Sequence, residues 1–257
     1  MKIKAYAKVN IFLKITGHKD GYHTLLSRFV KVNNLYDEIE FVEAKCDKFT
    51  IEGCEFVETK SNTIYKAFIA LNNYCGDLDL LEFFYNHKVV VTKNIPSQAG
   101  LGGGSSDGAY FMLLANRVCN LGLDIDTLVK IGSTIGADFP FFIYNYNSAN
   151  VSGFGEIVEK FDEPPLELEI FTPSDISCDT TLVYKRFKRD FLDKIRLSSF
   201  IGWDTISSKE ILEMINNPIE ANDLYKSALV EYPKLQNYQK DGWFFSGSGS
   251  SFFRIML

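Results

Sequence analysis

Pro96 to Tyr110 reads PSQAGLGGGSSDGAY, and this stretch carries the residue types best suited to chemistry in the chain. Gly100, Gly102, Gly103, Gly104 and Gly108 open backbone conformations closed to other residues and let the chain approach a ligand closely. Ser105, Ser106 and Asp107 are N-cap types, and the apolar run from Phe111 to Ala115 follows at once, so a helix is expected to start here. A glycine loop feeding a helix start offers unpaired N–H groups and the positive end of the helix dipole, a combination that binds phosphate. Two familiar phosphate loops are excluded. No lysine follows the glycines, so G-x-x-x-x-G-K-[ST] fails. Ser105 and Asp107 break G-x-G-x-x-G, which removes the dinucleotide-binding and protein-kinase readings. A flexible Gly/Ser linker is the competing explanation, but the stretch lies between a strand-like run at residues 88–91 and a strongly apolar helix.

The elements that must position this loop are legible by periodicity. Ile3, Ala5, Ala7, Val9, Ile11 and Leu13 alternate with Lys4, Tyr6, Lys8, Asn10, Phe12 and Lys14, the pattern of a half-buried strand with Lys8 and Asn10 on one face. Residues 17–21, GHKDG, predict a turn, and residues 22–32 a returning element. Asn62 is expected to cap a helix running through Leu71, and Asp126 a short helix that ends at Gly136 and leaves Asp138 in the following connector. Phe139 precedes Pro140, which predicts an extended segment over PFFIY, residues 140–144. Residues 156–165, EIVEKFDEPP, are the best boundary candidate. Beyond them a strand is expected over 166–171, a helix opening at residues 222–224, and a strand–turn–strand over 243–255 with SGSGSS as the turn. Strands and helices mix without regular βαβ alternation, which indicates an α+β chain in two lobes.

Composition narrows the function classes. The chain has 257 residues, 46% of them hydrophobic, with 22 Phe and 13 Tyr, enough for one large or two small cores. No run approaches the length of a membrane span, and the N-terminal stretch lacks the apolar block of a signal peptide, so a cytoplasmic chain with no membrane partner is expected. Five cysteines without a C-x-x-C pattern indicate neither a disulfide framework nor a zinc site. A net charge of −6 argues against nucleic acid as a partner. It leaves room for a locally basic pocket, with Lys8, Lys14, Lys88 and Lys93 as the cations to follow.

Three segments together carry a resemblance. A-K-V-N in the first strand, P-x-x-x-G-L-G-G-G-S-S-D in the middle and S-G-S-G-S near the end resemble the three motifs of the GHMP kinases, which phosphorylate small-molecule hydroxyls with ATP. D-G-Y-H at residues 20–23, G-A-D-F-P-F-F at 136–142, S-G-F-G-E at 152–156, N-D-L at 222–224 and Y-P-K-L at 232–235 resemble the branch whose acceptor alcohol carries a cytidine diphosphate. The resemblance implies a two-lobed GHMP kinase fold. Its N-terminal lobe, residues 1–157, is similar to domain 2 of ribosomal protein S5, and its C-terminal lobe, 158–257, is ferredoxin-like. The sequence departs from the pattern at Ser97–Ala99, at Gly108, where Ala is usual, and over Ser177–Thr181, which matches the substrate-side loop only loosely.

The same resemblance assigns roles. Asp138 is the candidate general base, since phosphoryl transfer to an alcohol needs a carboxylate to accept the hydroxyl proton, and Lys8 is its catalytic partner. Pro96, Gly100, Leu101, Gly102, Gly103, Gly104, Ser105 and Ser106 are implied to hold the triphosphate of ATP, with Asn62 and Lys93 on the nucleotide side. A serine hydroxyl is available for phosphate or Mg²⁺, and no dedicated metal-ligand set is readable. Tyr22 and Tyr184 are implied to sandwich a cytosine, His23 to hydrogen-bond it, and Asn10, Phe29 and Thr180 to shape the pocket. A kinase of homoserine, mevalonate or galactose type, and a non-catalytic nucleotide sensor, stand as alternatives. A monomer or weak homodimer is expected.

Overall fold

The computed structural model describes residues 1–76 and 78–256. Two long strands dominate the first part of the chain, β1 (Lys2–Lys19) and β2 (Tyr22–Glu43), paired as a hairpin. The turn between them is Asp20–Gly21 alone, shorter than the expected GHKDG. Both residues have positive φ, 51° and 88°, as a two-residue hairpin turn with an Asp-Gly pair requires. In β1 every residue from Ala7 to Ile15 is buried, so both faces are covered there and Lys8 and Lys14 are not on a solvated side, whereas Lys4 is exposed.

The chain forms two compact units that interleave in sequence. The first contains residues 1–7, 33–95 and 103–145. Here β3 (Ile51–Glu52) pairs in parallel with β4 (His87–Thr92), and β4 pairs antiparallel with the C-terminal half of β2, Glu38 opposite Thr92. Among the described residues the α-helices of this unit are α1 (Thr63–Cys75), α2 (Leu78–Tyr85), α3 (Gly103–Val118), α4 (Ile125–Ser133) and α5 (Phe139–Tyr144). A phenylalanine cluster fills the core, with Phe49 stacked on Phe68 at 4.0 Å and Phe41, Phe84 and Phe111 edge-on or tilted around them. Ring pairs of this kind stabilise by about 0.5–1.5 kcal/mol each beyond their buried area.

The second unit holds residues 8–32, 96–102 and 146–257. The N-terminal half of β2 pairs antiparallel with β5 (Ser148–Gly153), and β5 with β6 (Ile157–Lys160). A separate sheet orders β7 (Leu168–Phe171), β9 (Phe252–Ile255) and β8 (Phe244–Phe245). The helices are α6 (Thr180–Asp190), α7 (Ser208–Met214) and α8 (Asp223–Glu231), with α6 packed on α8. Arg28 lies fully buried, donating to Asn150 Oδ1 at 2.6 Å and to the carbonyls of Trp203, Asp204 and Ile206. Its guanidinium stacks on Phe161 at 3.3 Å with Glu163 3.9 Å away, and burial lowers its pKa to about 10. It still carries its charge at neutral pH and pins residues 203–208 to the sheet.

Several predicted elements shift. Residues 140–144 form helix α5, not a strand. Pro140 sits in the first turn, where its missing N–H costs nothing, and burial of every residue from Phe139 to Ile143 suits a helix packed on all sides. Asp124 rather than Asp126 caps α4, accepting from Thr127 N at 2.7 Å, and the helix closes at Ser133, leaving Ile135 outside. Helix α3 begins at Gly103, so Ser105, Ser106 and Asp107 lie inside its first turns rather than at its cap.

Gly108 acquires a packing reason. A methyl placed there would meet Phe139 Cζ at 2.4 Å and the Thr63 carbonyl oxygen at 3.1 Å, and the same ring lies against Gly132 and Gly136. Phe139, fully buried, fills the space an alanine would take. Gly108→Ala gains about 1 kcal/mol of helix propensity but overpacks a rigid ring at a cost of about 1–3 kcal/mol. Thermal unfolding is expected to show net destabilisation, reversed in the Gly108→Ala/Phe139→Leu double variant. Unchanged stability of the single variant removes this packing account.

Candidate active site

In the first unit Asn62 and Lys93, the two residues expected on the nucleotide side, both lie beside Cys54, and Lys93 is half-buried. Asn62 caps α1, accepting from Ile64 N at 2.8 Å, and also hydrogen-bonds the Cys54 thiol, which burial pushes up to about 11. Lys93 follows β4 and bridges two carboxylates, Asp37 and, at 2.6 Å, Asp107. Asp37 also accepts from the backbone N–H groups of Asn94 and Ile95, which fixes the turn carrying Lys93. Burial works against the Lys93 charge, but Asp107 and Asp37 outweigh it and hold the ammonium above its ordinary pKa. One cation serves two anions. Burial accordingly pushes the Asp107 carboxyl up to about 7 against the pull of Lys93, and its Oδ1 has no hydrogen-bond partner.

The start of α3 lies beside this cluster. A side chain at Gly103 would strike Ile95 Cγ2 at 2.9 Å with Lys93 Nζ at 3.8 Å. Thr63 donates to the Gly104 carbonyl, and Ser106 donates to the Tyr6 carbonyl at 2.7 Å, while Ser105 is half-buried. Asp138 takes the N-cap position of α5 with φ −79° and ψ −12°, but its carboxylate makes no cap hydrogen bond. The connector placement expected from sequence holds. Its side chain does not serve the helix that follows.

The second unit contains the other half of the glycine stretch. Gly100 has φ +75° and Gly102 φ +72°. A methyl at Gly100 would sit 2.1 Å from the Ser246 carbonyl oxygen, and one at Gly249 only 1.8 Å from Gly100 N. Ser246 donates to the Gly100 carbonyl at 3.0 Å and Ser251 N to the Ala99 carbonyl at 3.1 Å. The SGSGSS turn is therefore the packing partner of residues 99–100, a relation the sequence hinted at only through its glycines. Pro96 is exposed, whereas Leu101 is buried and its carbonyl accepts from Lys8 N at 3.0 Å.

Lys8 is 4% exposed and its ammonium donates to Asn10 Oδ1 at 2.6 Å, with the Phe29 ring centroid 4.5 Å away. Lys14 pairs with Asp223 at 2.8 Å, and in the first unit Lys88 pairs with Glu52. Asn222, which caps α8, was noted in sequence only as a helix opener. It also donates to the carbonyls of Phe245 and Gly247 and so holds the SGSGSS turn in place.

His23 packs against Tyr184, Phe187 and His18 at ring separations of 5.3, 5.7 and 5.3 Å. Its Nε2 is buried without a hydrogen-bond partner, and burial, reinforced by His18 and Lys188, lowers its pKa. A buried imidazole nitrogen without a partner is costly, so the position suits a ligand atom. Tyr22 is 69% exposed and lies edge-on to Phe154, within the S-G-F-G-E segment. Thr180 opens α6 with its hydroxyl 2.8 Å from that of Ser248. The structure thus joins Lys8, Asn10 and Phe29, and separately His23 and Tyr184, within this unit. Lys93 and Asp138 belong to the first.

Residues 62–146 match the GHMP kinases N terminal domain. The chain is 56% identical over 253 residues to 4-diphosphocytidyl-2-C-methyl-D-erythritol kinase of Sulfurovum sp. (strain NBC37-1), covering 98% of both chains. It is 41% identical over 256 residues to the enzyme of that name from Campylobacter jejuni subsp. doylei, covering 98% of this chain and 99% of that one. A crystal structure of 4-(cytidine 5'-diphospho)-2C-methyl-D-erythritol kinase superposes with a TM-score of 0.76 at 27% identity, covering 99% and 90% of the two chains. The mevalonate kinase of Methanococcus jannaschii shares the fold at a TM-score of 0.63 and 14% identity, covering 100% and 90%. With a GHMP kinase fold and this likeness along its whole length, the chain belongs to the 4-diphosphocytidyl-2-C-methyl-D-erythritol kinase family of GHMP kinases.

Proposed function

We propose that this chain is an ATP-dependent kinase that phosphorylates the 2-hydroxyl of 4-diphosphocytidyl-2-C-methyl-D-erythritol in the non-mevalonate route to isoprenoid precursors. The observation that carries the acceptor is the His23 ring, held against Tyr184 with a buried, unpartnered Nε2. A cytosine edge would supply the missing hydrogen bond, and the Tyr184 and Tyr22 rings the stacking faces. Such stacking contributes about 1–3 kcal/mol per base.

Asp138, whose carboxylate does not cap α5, accepts the proton of the acceptor hydroxyl. Lys8 is nearly dry, which suits its ammonium to offset negative charge as it grows on the attacking oxygen. The N–H groups of residues 102–106 bind the phosphates, and Asn62 and Lys93 serve the base and ribose. Among the described residues no group of three or more His, Cys, Asp or Glu side chains could hold a metal ion. Mg²⁺ takes few protein ligands and is held largely by substrate phosphates, and Ser105 would be its protein contact. When bound, Mg·ATP supplies the phosphoryl group with part of its charge neutralised.

ADP release is expected with 4-diphosphocytidyl-2-C-methyl-D-erythritol and not with homoserine, mevalonate or galactose. Turnover of another acceptor instead discards the cytosine site. CMP should compete with the acceptor and not with ATP, and Tyr184→Ala should weaken CMP by about 5–150-fold, the equivalent of one lost stacking contact. Asp138→Asn keeps the shape and removes the base, so kcat is expected to fall about 10²–10⁴-fold with KM values within a few-fold. Survival of turnover within a few-fold demotes Asp138 to positioning.

A further inference from the structure

We propose that Ser27 is a positioning residue for Lys8, acting through the amide of Asn10. The inference rests on the charge-offsetting role of Lys8 proposed above. Lys8 Nζ donates to Asn10 Oδ1 at 2.6 Å, Asn10 Nδ2 donates to Ser27 Oγ at 2.9 Å, and Ser27 Oγ donates in turn to the Phe12 carbonyl. Asn10 is 1% exposed and Ser27 fully buried.

The chain of hydrogen bonds has a direction set at its far end. An asparagine amide has two ends of nearly equal size, one a donor and one an acceptor, so packing alone does not choose which end meets Lys8. A serine hydroxyl has one proton. Here the Phe12 carbonyl, which can only accept, takes it, and Ser27 presents only lone pairs to Asn10. The amide must then offer its N–H to Ser27 and its oxygen to Lys8, where the bond is charge-assisted. Remove the serine oxygen and the Asn10 N–H is left buried without that partner. The amide is then no longer held from that side, and the oxygen it gives to Lys8 loses its fixed position.

Two neighbours confine the arrangement. Phe29 lies two residues from Ser27 on β2 and therefore on the same face, and its ring supports the Lys8 ammonium from 4.5 Å. Gly247 faces the other partner, since a side chain there would come within 3.3 Å of Asn10 Oδ1. Ser27 thus acts on Lys8 only at second hand. It holds no nucleotide or acceptor in the roles proposed above.

The test uses the full-length enzyme, following ADP release with ATP and the cytidine-bearing acceptor. Ser27→Ala is expected to lower kcat about tenfold while both KM values change less than about twofold, the signature of a lost hydrogen bond that acts only on the reacting charge. Ser27→Thr restores most of kcat because it returns the hydroxyl. A second arm guards against a threonine that does not fit. In an Asn10→Asp background, Ser27→Ala costs less than about twofold, because a carboxylate offers Lys8 an oxygen either way round. Equal losses in both backgrounds, or a kcat that follows only the thermal midpoint, overturn the proposal. Lys8→Met is measured beside them. If it abolishes turnover while Ser27→Ala leaves kcat unchanged, Ser27 alone is dismissed; if Lys8→Met turns over normally, the role of Lys8 falls and Ser27 with it.

Discussion

A lysine ammonium that is 4% exposed has lost most of its water, and taking a charge out of water costs several kcal/mol unless other groups replace the solvent. Much of the polar interior of the second unit follows from Lys8. Asn10 must turn an oxygen to it, Phe29 must lay a ring against it, and Ser27 must keep the amide the right way round. Gly247 must stay bare so that the amide oxygen is not crowded, and Asn222 must hold that glycine by its carbonyl. Asn10, Ser27 and Asn222 are each at most 1% exposed, an unusual place for such residues, and each is hydrogen-bonded. A cation this dry has the strongest field for offsetting charge, which is the role proposed for it above.

A second constraint is steric and belongs to the backbone. Residues 99–100 and 246–251 approach so closely that no β-carbon fits at Gly100 or Gly249. These glycines are required by chain-on-chain packing whether or not a phosphate is present. Gly103 is different, since its bareness clears Ile95 and Lys93 at the first turn of α3. Gly108 is different again, making room for Phe139. A run of glycines that reads as one phosphate loop is thus several close approaches with separate causes.

Local chemistry made part of this legible. Asn62 and Asn222 announced their helices because an asparagine before an apolar periodic run has few other uses, and SGSGSS read as a turn between strands that do pair. The misses came where two local rules competed. Phe139 before a proline favours extension, yet five consecutive buried residues and a proline in the first turn made a helix. Asp124 and Asp126 were equally good caps by type, and geometry chose the earlier one. Other features were out of reach of any local rule. Arg28 meets Asn150 and Ile206 across 122 and 178 residues, and Lys93 meets Asp37 across 56. No periodicity encodes such pairs. Even the alternation that placed Lys8 and Asn10 together implied a solvated face, and only the fold shows that face covered.

Class and substrate are written in different residues, and the physics of each explains why. In the function proposed above, Lys8, Asp138 and the N–H groups at the start of α3 act on a phosphoryl group and a hydroxyl, which any alcohol acceptor offers. Choice among acceptors needs a group that suffers when the wrong one binds. A hydrophobic wall discriminates weakly, because an ill-fitting ligand loses only contact area. A buried nitrogen that must find a hydrogen bond discriminates strongly, since an acceptor without a base leaves it unpaired at a cost of about 1–3 kcal/mol. His23, kept neutral by burial and flanked by aromatic rings, is such a nitrogen. In the proposed function that environment suits a flat, polar-edged ring, and acceptor choice would reside in the histidine's desolvation rather than in the groups that perform the transfer.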